Sequence, residues 1–214
     1  MRFNKYLTEK KATKNQIKTD EVVDNICSII EPNCKEIINI YKKSNGMLFR
    51  GITGTGGFKI DKPDSYFIEK TGHKTVRPPR NTQKEIHRYL NELFKDKFGW
   101  KVRDGIFVTS SEIFAAHYGY AFAVFPQGKF KYVWSPKYRD LYTKVPDIPV
   151  GYGIKSNEWL KTNKKKFVNI VNKYKDNNIE DAIKKGNEIS IKCNKYYLIR
   201  FDIINDVAKK LGIR

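Results

Sequence analysis

Apolar residues recur at helical spacing from Val22 onward. In VVDNICSIIEPNCKEIINIYKKSNG, Val23, Ile26 and Ile30, and then Ile37, Ile38 and Tyr41, fall on common faces, which predicts two helices, with Pro32 opening the second and Gly46 ending it. The short apolar run MLFRGI reads as the first strand. After it the stretch GITGTGGF turns into a long polar connection, KIDKPDSYFIEKTGHKTVRPPRNT. TQKEIHRYLNELFKDKFG returns to a helical period: Thr82 and Glu85 have capping-box spacing, Ile86, Tyr89, Leu90 and Leu93 make the stripe, and Gly99 stops it.

Further along, DGIFVTS, YAFAVFPQ and KFKYVWSP carry strand patterns, with SSEIFAAHYG as a short helix between the first two. PQGK, residues 126–129, reads as a hairpin turn. SNEWLKTNKKKFVNIVNKYK reads as one basic amphipathic helix and IEDAIKKG as a shorter one. NEISIKCNKYYLIRF is a long strand or a hairpin pair, and DIINDVAKKLG closes the chain as a helix. Strands and helices do not alternate as repeated βαβ units, so the expected fold is a single α+β domain over residues 21–214, with mostly antiparallel strands and helices at its start. Residues 1–20, rich in lysine and poor in apolar side chains, read as a basic arm.

Composition sharpens this picture. The 214 residues suffice for one sizeable core, and 13 Tyr, 13 Phe and 3 Trp argue for folding. An excess of 42 Lys plus Arg over 23 Asp plus Glu gives a formal charge of +19, which favours polyanionic partners without requiring them. Cys27, Cys34 and Cys193 form no CxxC pair, and His73, His87 and His117 lack metal spacing, so neither a disulfide framework nor a metal site is expected. The absence of an apolar leader or long apolar span leads to an expected cytoplasmic location and no membrane association.

Three short stretches carry the candidate chemistry. The glycines after MLFRG do not lead into Gly-Lys-Ser/Thr and a helix, so they are not a P-loop, and a flexible turn accounts for them. Arg50 differs, because a guanidinium closing an apolar strand must reach solvent or meet an anion. In GIFVTSSEIFAAHYG three consecutive hydroxyls, Thr109, Ser110 and Ser111, stand at a strand-to-helix junction, where they either cap the helix or hold a sugar. Glu188 begins the apolar strand of NEISI.

Taken in order, Arg50, the hydroxyl cluster and Glu188 resemble the arginine, Ser-Thr-Ser and glutamate pattern of the ADP-ribosyltransferase fold family, over residues 47–201. The resemblance implies NAD as the consumed dinucleotide, with Arg50 contacting it. It implies that Thr109 supports the glutamate and the nicotinamide ribose, that Ser111 matches the last motif residue, and that Glu188 grips the ribose as nicotinamide leaves. Gly51, Ser110 and Tyr118 join Arg50 and Thr109 as the implied dinucleotide contacts. Arginine-modifying members carry an acid two positions before the glutamate; Gly186 stands there instead, which argues against an arginine acceptor.

The chemistry also follows from charge. Breaking a ribosyl bond to nicotinamide places positive charge on the sugar beside a negative pyrophosphate, so such a site needs a carboxylate on one side and a cation on the other. Glu188 and Arg50 meet those needs, and Tyr118, Tyr66 or Phe67 can cover the nicotinamide. The acceptor is either DNA or RNA or an acidic protein, with Lys164, Lys165, Lys166, Arg77 and Arg80 as candidate phosphate contacts. The alternatives are a non-enzymatic nucleic-acid-binding protein, a hydrolase of NAD or another N-glycosidic bond on the same fold, and a structural protein of a virus-like particle.

Overall fold

The computed structural model describes residues 14–53, 66–72, 79, 82–149 and 156–213. Helices α1 (Lys14–Asn33) and α2 (Lys35–Ser44) open it. Along the chain follow β1 (Phe49–Ile52), β2 (Phe67–Thr71), α3 (Lys84–Phe98), β3 (Ile106–Val108), α4 (Glu112–Ala116), β4 (Tyr120–Pro126) and β5 (Lys131–Trp134). Then come α5 (Ser156–Thr162), α6 (Lys164–Asn172), α7 (Ile179–Lys185), β6 (Ile189–Lys192), β7 (Lys195–Arg200) and α8 (Phe201–Lys210). The architecture is α+β, and every strand pairing is antiparallel.

Two sheets form, one in the order β1-β4-β7-β2 and the other β3-β6-β5. They meet where Phe49 and Thr109 exchange backbone hydrogen bonds, Phe49 N to Thr109 O at 2.7 Å and Thr109 N to Phe49 O at 3.0 Å. The larger apolar core packs α1, α2, α7 and α8 against these sheets through fully buried Ile30, Ile37, Tyr41, Phe125 and Leu198. A second cluster, around Phe94, Trp100, Phe167 and Val171, seats α3, α5 and α6. Each such fully buried side chain contributes about 1.5–3 kcal/mol relative to exposure.

Several local expectations are corrected by this packing. Pro32 lies in the last turn of α1 and does not open α2; without an N–H it weakens that turn, and the chain bends at Cys34, whose own N still donates to Ile30 O at 2.8 Å. Asn45, in the left-handed region at φ 52°, ends α2 one residue before Gly46. Helix α1 starts at Lys14, inside the segment read as an arm, and residues 1–13 lie outside the described residues. Thr82 does not cap α3: its hydroxyl accepts from Arg103 Nη2 at 3.2 Å, and Gln83, which precedes the helix, bonds Ile148 through both its amide atoms.

The largest correction concerns the hairpin expected at PQGK and the long strand or hairpin pair expected over NEISIKCNKYYLIRF. β4 and β5 flank the PQGK turn yet belong to different sheets, and so do β6 and β7 around Cys193 and Asn194. Each connection carries the chain from one sheet to the other, because the apolar faces of both sheets must share the core. The segment read as one basic helix is broken at Asn163 (φ −93°, ψ 6°) into α5 and α6. β2 emerges from the stretch read as polar connection; it is an edge strand with exposed residues, so it lacks the apolar run of a central one.

Candidate active-site cleft

Arg50 is the second residue of β1 and pairs with Phe122 of β4. Next to it, a Cβ on Gly51 would lie 2.0 Å from Ala115 O and 2.9 Å from Tyr118 Cβ, so only glycine lets α4 and the following turn press against β1. That approach brings Tyr118, Ala115 and Phe114 to the rim of the cleft that Arg50 and Gly51 line.

The opposite wall rises from the second sheet. Val108 of β3 pairs with Ile189 of β6, and carrying the register one residue further puts Thr109 opposite Glu188. Thr109 is 5% exposed; its hydroxyl donates to Gly186 O at 3.2 Å and accepts from Ser111 N at 3.2 Å. Glu188 is half-buried, stands directly before β6, and donates its backbone N–H to Arg139 O at 2.9 Å. Gly186 ends α7 in the left-handed region at φ 68°, so an acidic side chain there would be strained.

Arg50, Thr109 and Glu188, remote along the chain, therefore line one cleft that encloses about 150 Å³ and opens to solvent. Tyr118 lines it as well, and burial first, then the Asp140 and Glu188 carboxylates, push its hydroxyl above the usual phenol range. It stays a protonated donor at neutral pH. Tyr174 is raised further, by burial and then by Glu188.

Not every expected contact converges. Ser110 Oγ donates to Ile183 O and fastens the end of β3 to α7. Ser111 Oγ accepts from Phe114 N at 3.2 Å and caps α4, lining a neighbouring cleft instead. Both hydroxyls serve the backbone because the chain turns at this junction. Tyr66 lies under the Arg200 guanidinium at 3.9 Å and Phe67 stacks on Tyr197 at 4.8 Å, so neither reaches the cleft. Lys164, Lys165 and Lys166 are exposed in the first turn of α6 and line neither cleft, while Arg77, Arg80 and the glycines at 54–57 lie outside the described residues.

Reading the sequence missed Arg103, Asp140 and Phe114, which line the cleft together with His87, a residue the sequence offered as part of a substrate loop or of the basic surface. Arg103 precedes β3, donates to Thr82 Oγ1, and sits 5.4 Å from the centre of the Phe107 ring. Its backbone N–H is held by Asn91 Oδ1 at 2.8 Å. Asn91 Nδ2 in turn donates to Asp104 Oδ1 at 2.9 Å, and His87 Nε2 lies 3.3 Å from the same oxygen. The available signal was a charged pair, Arg103 and Asp104, placed immediately before an apolar strand.

No family model, curated protein or solved structure matches the chain. The cleft brings together two half-buried carboxylates, Asp140 and Glu188, two arginines, Arg50 and Arg103, and the aromatic residues Phe107, Phe114 and Tyr118. Among the described residues no group of three or more His, Cys, Asp and Glu is arranged to hold a metal ion, and no helix is long and apolar enough to cross a membrane.

Proposed function

We propose that this chain is an ADP-ribosyltransferase that consumes NAD and modifies nucleic acid or protein. The observation that carries the reading is the convergence of Arg50, Thr109 and Glu188 on one cleft, at the junction of two antiparallel sheets. The bridged β1 and β3 and the paired β3 and β6, each bearing or abutting one of the three residues, support assignment to the ADP-ribosyltransferase fold.

The residues fit the dinucleotide. Among the described residues no acceptor reaches the buried Nε–H of Arg103, which suits an anion arriving in the cleft. When bound, NAD supplies a ribosyl bond to a cationic nicotinamide that leaves as a neutral base. Glu188 would supply negative charge to the sugar as it becomes positive, and preorganised charge in a half-dry site is worth more than in water. Arg50 and Arg103 would balance the phosphates through charge-assisted hydrogen bonds. Thr109 holds the Gly186 turn, so that Glu188 needs no rearrangement. Tyr118, at the same cleft, would cover the nicotinamide ring.

Calorimetric titration with NAD, run beside a nicotinamide-release assay, tests the reading. Binding with release is expected; no binding and no release overturns it. The +19 charge also supports a binding protein without chemistry. Nucleic-acid binding with no effect of NAD is the outcome that would select that alternative.

A further inference from the structure

We infer that the second cleft, formed between α4 and the turn at 139–143, is the acceptor subsite, and that it takes an unpaired base of single-stranded nucleic acid. The inference rests on the transferase reading and names its acceptor. This cleft is lined by Ile113, Phe114, His117, Arg139, Asp140 and Thr143, together with Ser111 at its base. It shares Phe114 and Asp140 with the first cleft, and the carbonyl of Arg139 accepts the N–H of Glu188 at 2.9 Å. A base seated against Arg139 and Asp140 therefore lies at the wall shared with the Glu188 cleft, where a ring or amino nitrogen would form the new bond to the ribose carbon as the bond to nicotinamide breaks, its proton passing to the Asp140 carboxylate or to solvent.

The walls match a base rather than a peptide. The Arg139 guanidinium lies over the Phe114 ring at 5.3 Å, and Arg139 is exposed, so a flat cation and an aromatic ring are presented at one mouth. Bases of any sequence stack on such surfaces. Asp140 Oδ1 accepts from Tyr142 N at 2.8 Å, which fixes the side chain in its turn, and an ionised carboxylate has further lone pairs to accept from N–H donors on a base edge. Large apolar surface stands open along the two clefts: Ile113 is 76% exposed, Tyr142 47% and Tyr118 39%. Exposed Lys137 and Lys144 flank the Asp140 turn, so the margin is basic in a chain of net +19, as a phosphate backbone requires. An acidic peptide would use these cations and leave the stacking surfaces idle. A duplex would offer phosphates but keep its bases stacked away from the cleft.

The test measures anisotropy of a short fluorescein-labelled strand of mixed sequence, as DNA and as RNA, against the same strand annealed to its complement, over a salt series. The full chain, Arg139→Ala, Arg139→Lys and Ile113→Asp are compared. Expected is preference for the single strand, with affinity reduced about tenfold in both Arg139 variants, because lysine restores the charge but not the plane. The salt slope should fall by about one unit in the alanine variant only. Ile113→Asp should weaken single-strand binding too, and unchanged melting curves guard against misfolding. Equal affinity for duplex, parent-like binding by Arg139→Lys, or displacement by poly-glutamate at matched charge would each overturn the subsite. Nicotinamide release by the parent, measured with the single strand as acceptor and again with water alone, reports separately on the transferase reading: its absence under both conditions sinks that reading while the binding data still judge the cleft.

Discussion

The Thr109 hydroxyl donates to the Gly186 carbonyl at 3.2 Å, tying the end of β3 to the turn that delivers Glu188. Thr109 and Glu188 stand opposite each other in the continued β3 and β6 register, so the bond sets the depth at which the carboxylate enters the cleft. Thr109→Val keeps the shape but orphans the Gly186 carbonyl, for a loss of about 1–3 kcal/mol. Thr109→Ser keeps the bond. Denaturant titration and nicotinamide release should therefore rank parent and serine variant together and the valine variant below both; a valine variant equal to the parent would remove Thr109 from the mechanism.

Glu188→Gln removes charge and preserves volume. Nicotinamide release should fall by about 10²-fold or more while NAD binding by calorimetry stays within a few-fold of the parent. Unchanged turnover would show that Glu188 stabilises no charge in the reaction.

Gly51→Ala asks whether the glycine serves packing. Its Cβ would press on Ala115 O at 2.0 Å, a backbone atom that can yield only if α4 shifts from β1. A stability loss of about 1–3 kcal/mol or more is expected from urea unfolding. A parent-like midpoint would mean that α4 moves freely and that the rim formed by Tyr118 is not preorganised.

The cysteines give a pH signature. Burial pushes the Cys34 and Cys193 thiols up to about 12 and the Cys27 thiol up to about 11. In the unfolded chain they ionise near 8.5. Between about pH 8.5 and 11 the unfolded state sheds protons that the folded state keeps, so these groups stabilise the fold fully below that interval and progressively less through it. Alkylation by an uncharged thiol reagent at pH 9 should be slow in the native protein and fast in urea. Rapid native labelling of Cys27 or Cys34 would contradict their burial.

The legible part of the site was local chemistry. Arg50 stood out as a guanidinium closing an apolar run, Thr109 as a hydroxyl at a strand end, and Tyr118 as an aromatic after a short helix; all three line the cleft. Glu188 was marked by its place before an apolar strand. Arg103 is marked only by the charged pair it makes with Asp104 before a strand, and Asp140 sits in a turn, as surface charges commonly do. Their direction into the cleft depends on Asn91 holding the backbone of Arg103 and on the turn in which Tyr142 N bonds Asp140.

Helices α2, α3 and α8 and strands β3, β4 and β5 follow from apolar period and breakers alone, because a stripe repeating every three or four residues, or every two, can be buried in only one backbone form. The net charge and the α+β mixture were equally fixed by the amino acids. Pairing was not. PQGK and the Cys193–Asn194 link look like hairpin turns in isolation, yet each passes the chain between sheets. Antiparallel partners are chosen by which apolar faces close the common core, a property of the whole chain and not of any window of it. That choice alone set β1 beside β3 and β3 beside β6, and so brought Arg50, Thr109 and Glu188 to one cleft.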